Sequence, residues 1–186
     1  MEKIRGEYVD LYDENKNLTG EKIFREKGKK ADTPNGKYTI VVLAFIENSK
    51  GEFLFQMTSE NKGSVWATSG GHVVSGQTSK EGIIEELKEE LGLNIELEEI
   101  ELFKTYKYDN AFKDVYYIKK DINIDELVYQ EDEVAYAKYL TRDEIMDLIN
   151  NNGNIRKTNI DSCLDIINRW KSVCTKFVER FLFIIK

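Results

Sequence analysis

Residues 70–93, GGHVVSGQTSKEGIIEELKEELGL, constrain this chain more than any other stretch. A glycine-rich turn runs directly into a helix whose two ends are both legible. Thr78, followed three residues later by Glu81, is a capping-box pattern, so the helix is predicted to begin just after Gln77. Gly92 can adopt the left-handed conformation that closes a helix at its C-terminus. At about 100° per residue, Ile83, Ile84, Leu87 and Leu91 fill one arc and Glu85, Glu86, Glu89 and Glu90 the other. The apolar arc predicts packing on a sheet, with the acidic arc left over a cleft.

Four clustered glutamates have two readings. As a solvated face they are tolerable, since each like-charge pair at i, i+4 costs only about 0.2–0.5 kcal/mol. As a metal site they suit Mg²⁺ or Mn²⁺, which accept carboxylate oxygens together with phosphate and water.

The stretch resembles the Nudix box: G, five residues, E, seven residues, then R-E-apolar-x-E-E-x-G-apolar. Gly71, Glu86, Leu87, Glu89, Glu90, Gly92 and Leu93 fall in register. That offset favours the metal over the solvated face. The resemblance implies a MutT-like hydrolase with a mixed-sheet α/β/α sandwich. It implies Mg²⁺ or Mn²⁺ held by Glu86, Glu89 and Glu90, with the backbone carbonyl of Gly70 in reach of the ion. It further implies water attack on a diphosphate in a nucleoside diphosphate derivative. One of those glutamates, or one elsewhere in the chain, orients or deprotonates the water.

Two positions depart from the pattern: Gln77 stands where the family has Glu, and Glu85 where it has Arg. Gln77 keeps an oxygen donor but loses a charge; Glu85 removes a cation that helps hold neighbouring glutamates. A hydrogen bond from the Gln77 amide to the Glu85 carboxylate is the expected replacement for the missing ion pair. The departures leave a second functional reading open, a catalytically impaired Nudix-fold protein that binds a nucleotide or regulates.

The segments YVDLYDENKNLTGEKIFR and VWATSGGHV resemble the Nudix subgroup related to isopentenyl-diphosphate isomerase. Those isomerases place a cysteine where this chain has Gly70, so alkene protonation is not expected. The proline that ADP-ribose hydrolases of the family carry beyond the box is missing here, since the only proline is Pro34. Tyr106 and Tyr108 loosely fit the tyrosine of dinucleoside-polyphosphate hydrolases.

At 186 residues the chain suits one domain, residues 1–186, with an N-terminal hairpin extension over 1–32 and a C-terminal helix over 155–186. A net charge of −7 argues against a nucleic-acid-binding surface. Cys163 and Cys174 have neither metal-type nor redox spacing. No apolar run approaches the roughly 20 residues needed to span a membrane, and no signal peptide is visible, so a cytoplasmic protein is expected.

Extended segments are expected at Glu7–Tyr12 and on to about Arg25, then at Tyr38–Ile46, Phe53–Met57, Ile95–Tyr106, Val115–Lys120 and Val134–Leu140. Thr141 and Glu144 cap a short helix over Arg142–Asn150, and Ile160–Ile185 reads as a final helix. The apolar tail Phe181–Ile185 is expected to dock on the domain or on a second copy, as in a homodimer. The basic island Lys22, Arg25, Lys27, Lys29, Lys30 and Lys37 reads as a solvated loop, with contact to substrate phosphates as the alternative. His72 reads as a local hydrogen-bonding residue, with metal binding or phosphate contact as the alternative. Glu131 and Glu133 read as solvated surface, with a supporting acidic role for Glu133 as the alternative. Trp66, Tyr106 and Tyr108 are candidates to stack on a base, with a place in the core as the equal alternative for Trp66.

Overall fold

The computed structural model describes residues 6–151 and 153–169. The chain opens with an antiparallel hairpin, β1 (Gly6–Tyr12) and β2 (Leu18–Glu26). Its turn is shaped by Asp13, whose carboxylate accepts from the backbone N–H groups of Asn15 and Asn17, both at 2.9 Å.

Six strands form a mixed sheet: β3 (Thr39–Glu47), β4 (Phe53–Thr58), β5 (Trp66–Ala67), β6 (Ile100–Lys107), β7 (Ala111–Lys119) and β8 (Val134–Leu140). β3 runs parallel to β7 from Thr39↔Ala111 to Glu47↔Lys119, and β6 lies antiparallel on the far side of β7. β3 and β4 share only the pair Glu47↔Phe53 and then diverge. The chain between β5 and Val73 fills the opening. Ala67 pairs with Gln56 of β4, while β3 hydrogen-bonds to the backbone of Ser69, Gly71 and Val73. β8 closes against β4.

Alternation along β3 sends side chains to two cores. Ile40, Val42, Ala44 and Ile46 face α1 (Ser79–Leu91), meeting Ile83, Leu87 and Leu91. On the other face Phe45, Phe53, Phe55, Val115 and Tyr117 pack with Ile145 of α2 (Arg142–Asn150) and with Cys163, Ile166 and Ile167 of a third helix, α3 (160–169). The expected sandwich is present. Thr78 and Thr141 each make both bonds of a capping box, and Gly92 ends α1 in the left-handed conformation at φ 67°.

Some boundaries moved. β7 begins at Ala111 rather than Val115, because parallel pairing with β3 extends to Thr39. β6 begins only at Ile100, because residues 97–99 form a 3₁₀ turn in which the Glu99 carboxylate accepts from the Glu96 N–H at 3.0 Å. Ile95 is buried all the same. The expected helix continues past residue 169, and the apolar tail lies there too; both are outside the described residues.

The hairpin is tied to the sheet. Asp114, 1% exposed, receives both its oxygens' contacts from Lys16 Nζ at 2.6 and 2.7 Å and a further bond from Thr105 Oγ1 at 2.6 Å. The Ser79 hydroxyl at the start of α1 also donates to Asp114. Asp10 of β1 accepts from Ser75 Oγ at 2.7 Å and from the Gly76 N–H at 2.9 Å, fastening the hairpin to the turn before α1.

Leu87 is wholly buried between α1 and β3. Leu87→Ala is expected to lower folding stability by about 2–5 kcal/mol, measured by urea unfolding. A loss below about 1 kcal/mol would contradict that packing.

Candidate active site

Two glycines allow the site to exist. Gly70 has φ 154°, and a Cβ on it would stand 2.0 Å from the Val42 carbonyl oxygen. A Cβ on Gly71 would stand 2.1 Å from Glu86 Oε1. The segment therefore lies against β3 on one side and admits the α1 carboxylates on the other. The carbonyls of Ser69 and Gly71 accept from Ala44 and Val42 at 3.0 and 2.8 Å. The carbonyl of Gly70 between them has no hydrogen-bond partner among the described residues.

Glu90, only 7% exposed, turns under this segment. Its Oε2 accepts from the Gly70 N–H at 3.2 Å and from Gln56 Nε2 at 3.1 Å, and Gln56 is oriented by Ser69 Oγ at 2.9 Å. Glu86 is half-buried one turn earlier, while Glu85 and Glu89 are exposed. The acidic arc thus divides in two. Glu86 and Glu90 turn inward, Glu85 faces solvent, and Glu89 stands at the cleft mouth. Glu86, Glu89 and Glu90 line one cleft with Glu7, Glu133, Gln130, Gly71 and His72.

Burial dominates the electrostatics. It pushes the Glu86 carboxyl up to about 8, helped by the negative charges of Glu90, Glu89, Glu7 and Glu133. Burial likewise raises Glu90 to about 7, against the pull of the Gln56 and Gly70 hydrogen bonds. Among the described residues no three His, Cys, Asp or Glu side chains converge tightly enough to ligate one ion as they stand. The donor chemistry nevertheless suits a hard divalent cation: carboxyl groups with raised pKa values cluster in one cleft, while Gly70, whose carbonyl has no partner among the described residues, lines the adjoining pocket beside Gly71.

Cations rim this acidic cleft. Arg25 Nη1 meets Glu7 Oε1 at 2.7 Å, Lys62 meets Glu133 at 2.7 Å, and Lys27 approaches Glu133 at 3.9 Å. For Arg25 and Lys27 the solvated-loop reading is therefore replaced by a place at the cleft. Lys29 does point outward, paired with Glu26. Glu133 lines the cleft, whereas Glu131 is exposed.

Gln77 and Glu85 do not bond to each other; among the described residues no hydrogen bond joins them. The Thr78 cap fixes Gln77 before the first turn, and Glu85 lies about 10 Å further along the helix axis, beyond the reach of an amide. Burial, and then the charge of Arg25, push His72 down to about 4, so its imidazole is neutral at physiological pH. Neither Tyr106 nor Tyr108 lines the cleft: Tyr106 donates to Asp165 at 2.6 Å and Tyr108 donates to Asp161. Trp66 packs edge-on against Tyr136. Gln56 escaped the sequence reading, although a glutamine inside the apolar run FLFQM was a visible signal.

A family model described as the NUDIX domain matches residues 37–159. The Nudix hydrolase lmo0368 of Listeria monocytogenes is 33% identical over 140 residues, covering 73% of this chain and 80% of the relative. Among solved structures, DR0079 of Deinococcus radiodurans superposes with a TM-score of 0.70 at 20% identity, covering 84% of this chain and 97% of that one. A MutT protein of Methanosarcina mazei does so at 0.55 and 21% identity, covering 76% and 99%. These two likenesses speak for the fold alone. The family match and the Listeria relative establish that this chain belongs to the Nudix family. It is a hydrolase of that family, whose enzymes cleave pyrophosphate linkages and generally use divalent metal ions.

The raised carboxyls have a pH consequence. Folded Glu86 keeps its proton up to about pH 8, whereas the unfolded group releases it near 4.5. Between those values the folded state binds more protons, so stability falls as pH rises. In chelator, the melting temperature is expected to drop by a few degrees from pH 5 to 8, and Glu86→Gln should flatten that drop. An unchanged slope in the variant would show that Glu86 is not a desolvated acid.

Proposed function

We propose that this chain is a Mg²⁺- or Mn²⁺-dependent hydrolase that cleaves a diphosphate linkage in a nucleoside diphosphate derivative. The observation that carries this reading is the inward pair Glu86 and Glu90, raised in pKa, sharing one cleft with Glu89 and Glu133. Such crowding is unfavourable without a cation and is relieved by one. Glu86, Glu89 and Glu90 supply the carboxylate ligands, and Gly70 supplies its free carbonyl. A divalent ion bound there neutralises phosphate charge and makes water a better nucleophile.

The protein's own groups do the rest. Gln56 and the Gly70 N–H hold Glu90 in a single orientation. A carboxylate of the cluster takes the proton from the attacking water. The water oxygen bonds to one phosphorus, the bridging P–O bond breaks, and the departing phosphate keeps the electron pair. Among the described residues nothing supports cysteine-based protonation of an alkene: Cys163 is buried in the α3 core and does not line the cleft, and Cys174 lies outside the described residues.

One observation favours the second reading, a binding or regulatory protein. Glu85 stands exposed in place of the family's arginine, and among the described residues it has no hydrogen-bond or ion-pair partner. Charge balance around α1 therefore differs from that of the family pattern.

Release of phosphate-containing products from a panel of nucleoside diphosphate derivatives, with Mg²⁺ and with Mn²⁺, decides between them. Metal-dependent turnover that drops at least about a hundredfold in Glu90→Gln is expected. Metal-dependent nucleotide binding with no turnover across the panel would establish the binding protein instead.

A further inference from the structure

A second chamber adjoins the acidic cleft, with Arg25, Gly71 and His72 lining both. The charge reverses there. Among the described residues no carboxylate lines this chamber, and its charged groups are Arg25, Lys113 and Arg156. Lys113 is already committed to Asp161 at 2.5 Å and to the Thr158 carbonyl at 2.8 Å. Arg156 is not. Its backbone is pinned by a bond from its N–H to the Trp66 carbonyl at 2.8 Å, yet its guanidinium has no partner among the described residues.

Arg25 sits at the seam between the chambers. Its Nη1 donates to Glu7, but its Nε is buried with no acceptor. A buried donor left without an acceptor is unfavourable, so Arg25 is only partly satisfied by Glu7 while it lines both chambers. Among the described residues no Phe, Tyr or Trp ring lines either chamber, and the groups that do offer charge and hydrogen bonding.

We propose that the second chamber is an oxyanion subsite in which Arg25 and Arg156 bind a phosphoryl group remote from the scissile linkage. The preferred substrates then carry phosphate at both ends of the cleft, either as a longer phosphate chain or as a phosphorylated substituent. As a statement about substrate, this rests on cleavage occurring at Glu86, Glu89 and Glu90; as a statement about anion binding it does not.

The test is calorimetric titration of inorganic pyrophosphate into the full chain in EDTA, where neither metal nor catalysis is needed. Wild type should bind. Arg156→Gln and Arg25→Gln should each weaken binding by about tenfold, the loss of one charge-assisted contact, with Arg156→Lys intermediate. Lys62→Gln, which removes a cation from the acidic half, should leave binding unchanged. Arg156 has no partner to lose, so its variant should keep the wild-type melting temperature even if Arg25→Gln disturbs the hairpin. Wild-type affinity in Arg156→Gln, loss confined to Lys62→Gln, or no binding by wild type would each overturn the subsite.

Kinetics then separate the two sources of phosphate. One comparison uses dinucleoside polyphosphates of different chain length; the other uses nucleotide sugars with and without a sugar phosphate. Arg156→Gln should raise KM about tenfold for the more phosphorylated member of at least one pair, with kcat unchanged. An equal effect on both members of both pairs would overturn the substrate preference. Absence of turnover on any substrate would defeat the hydrolase reading while leaving the pyrophosphate result standing.

Discussion

The close approach of residues 69–71 to β3 is the constraint on which the site depends. β3 and β4 separate after a single pair, and a backbone segment enters the gap. A side chain at position 70 would collide with the Val42 carbonyl, so only glycine lets the segment lie flat there. Once it does, its alternate carbonyls are consumed by β3 and the intervening one is left for another partner. The same segment offers the Gly70 N–H to Glu90 from above. Sheet topology, rather than any property of the acidic helix alone, converts a row of glutamates into a cleft.

Within that cleft, two kinds of interaction oppose each other. Burial and mutual repulsion disfavour charge on Glu86 and Glu90, while Gln56 and Gly70 favour it on Glu90. Burial dominates for both groups. A protein that needed only a stable core would place apolar side chains at these positions, as it does at Leu87 and Leu91 on the adjoining arc. Retaining desolvated acids here is therefore informative, since it gathers carboxyl groups that a bound cation would hold in their ionised form.

What could be read from the sequence was local. Thr78, Glu81 and Gly92 sit within one helix length of each other, and their capping bonds form as their spacing implies. Most of the failures were non-local. The start of β7 depends on how far β3 extends beside it, and β5 is two residues of strand with no periodicity of its own. Gln56 gained its meaning from Glu90, 34 positions away. Pairing Gln77 with Glu85 failed for the opposite reason, because two neighbours in the motif are kept apart by the rigid helix between them. Arg25 and Lys27 were read as loop residues because nothing near them in sequence points to the cleft.

The hairpin shows what a motif-centred reading leaves out. β1 and β2 precede the 37–159 family match, yet Glu7 and Arg25 line the cleft. Two separate anchors hold them there: Lys16 on buried Asp114 at one end, and Asp10 on the Ser75–Gly76 turn further along β1. Val9 and Leu11 are both 1% exposed, so the hairpin is packed as well as tethered. Two polar anchors, one of them Asp10 between buried Val9 and Leu11, give a strand little freedom to lift or slide. Arg25 is thereby presented from a rigid element, which is how a group must be held if it is to select among ligands rather than merely attract them. The residues that choose what enters this cleft are, on that argument, to be sought in the hairpin and around Arg156 as much as in the glutamate helix.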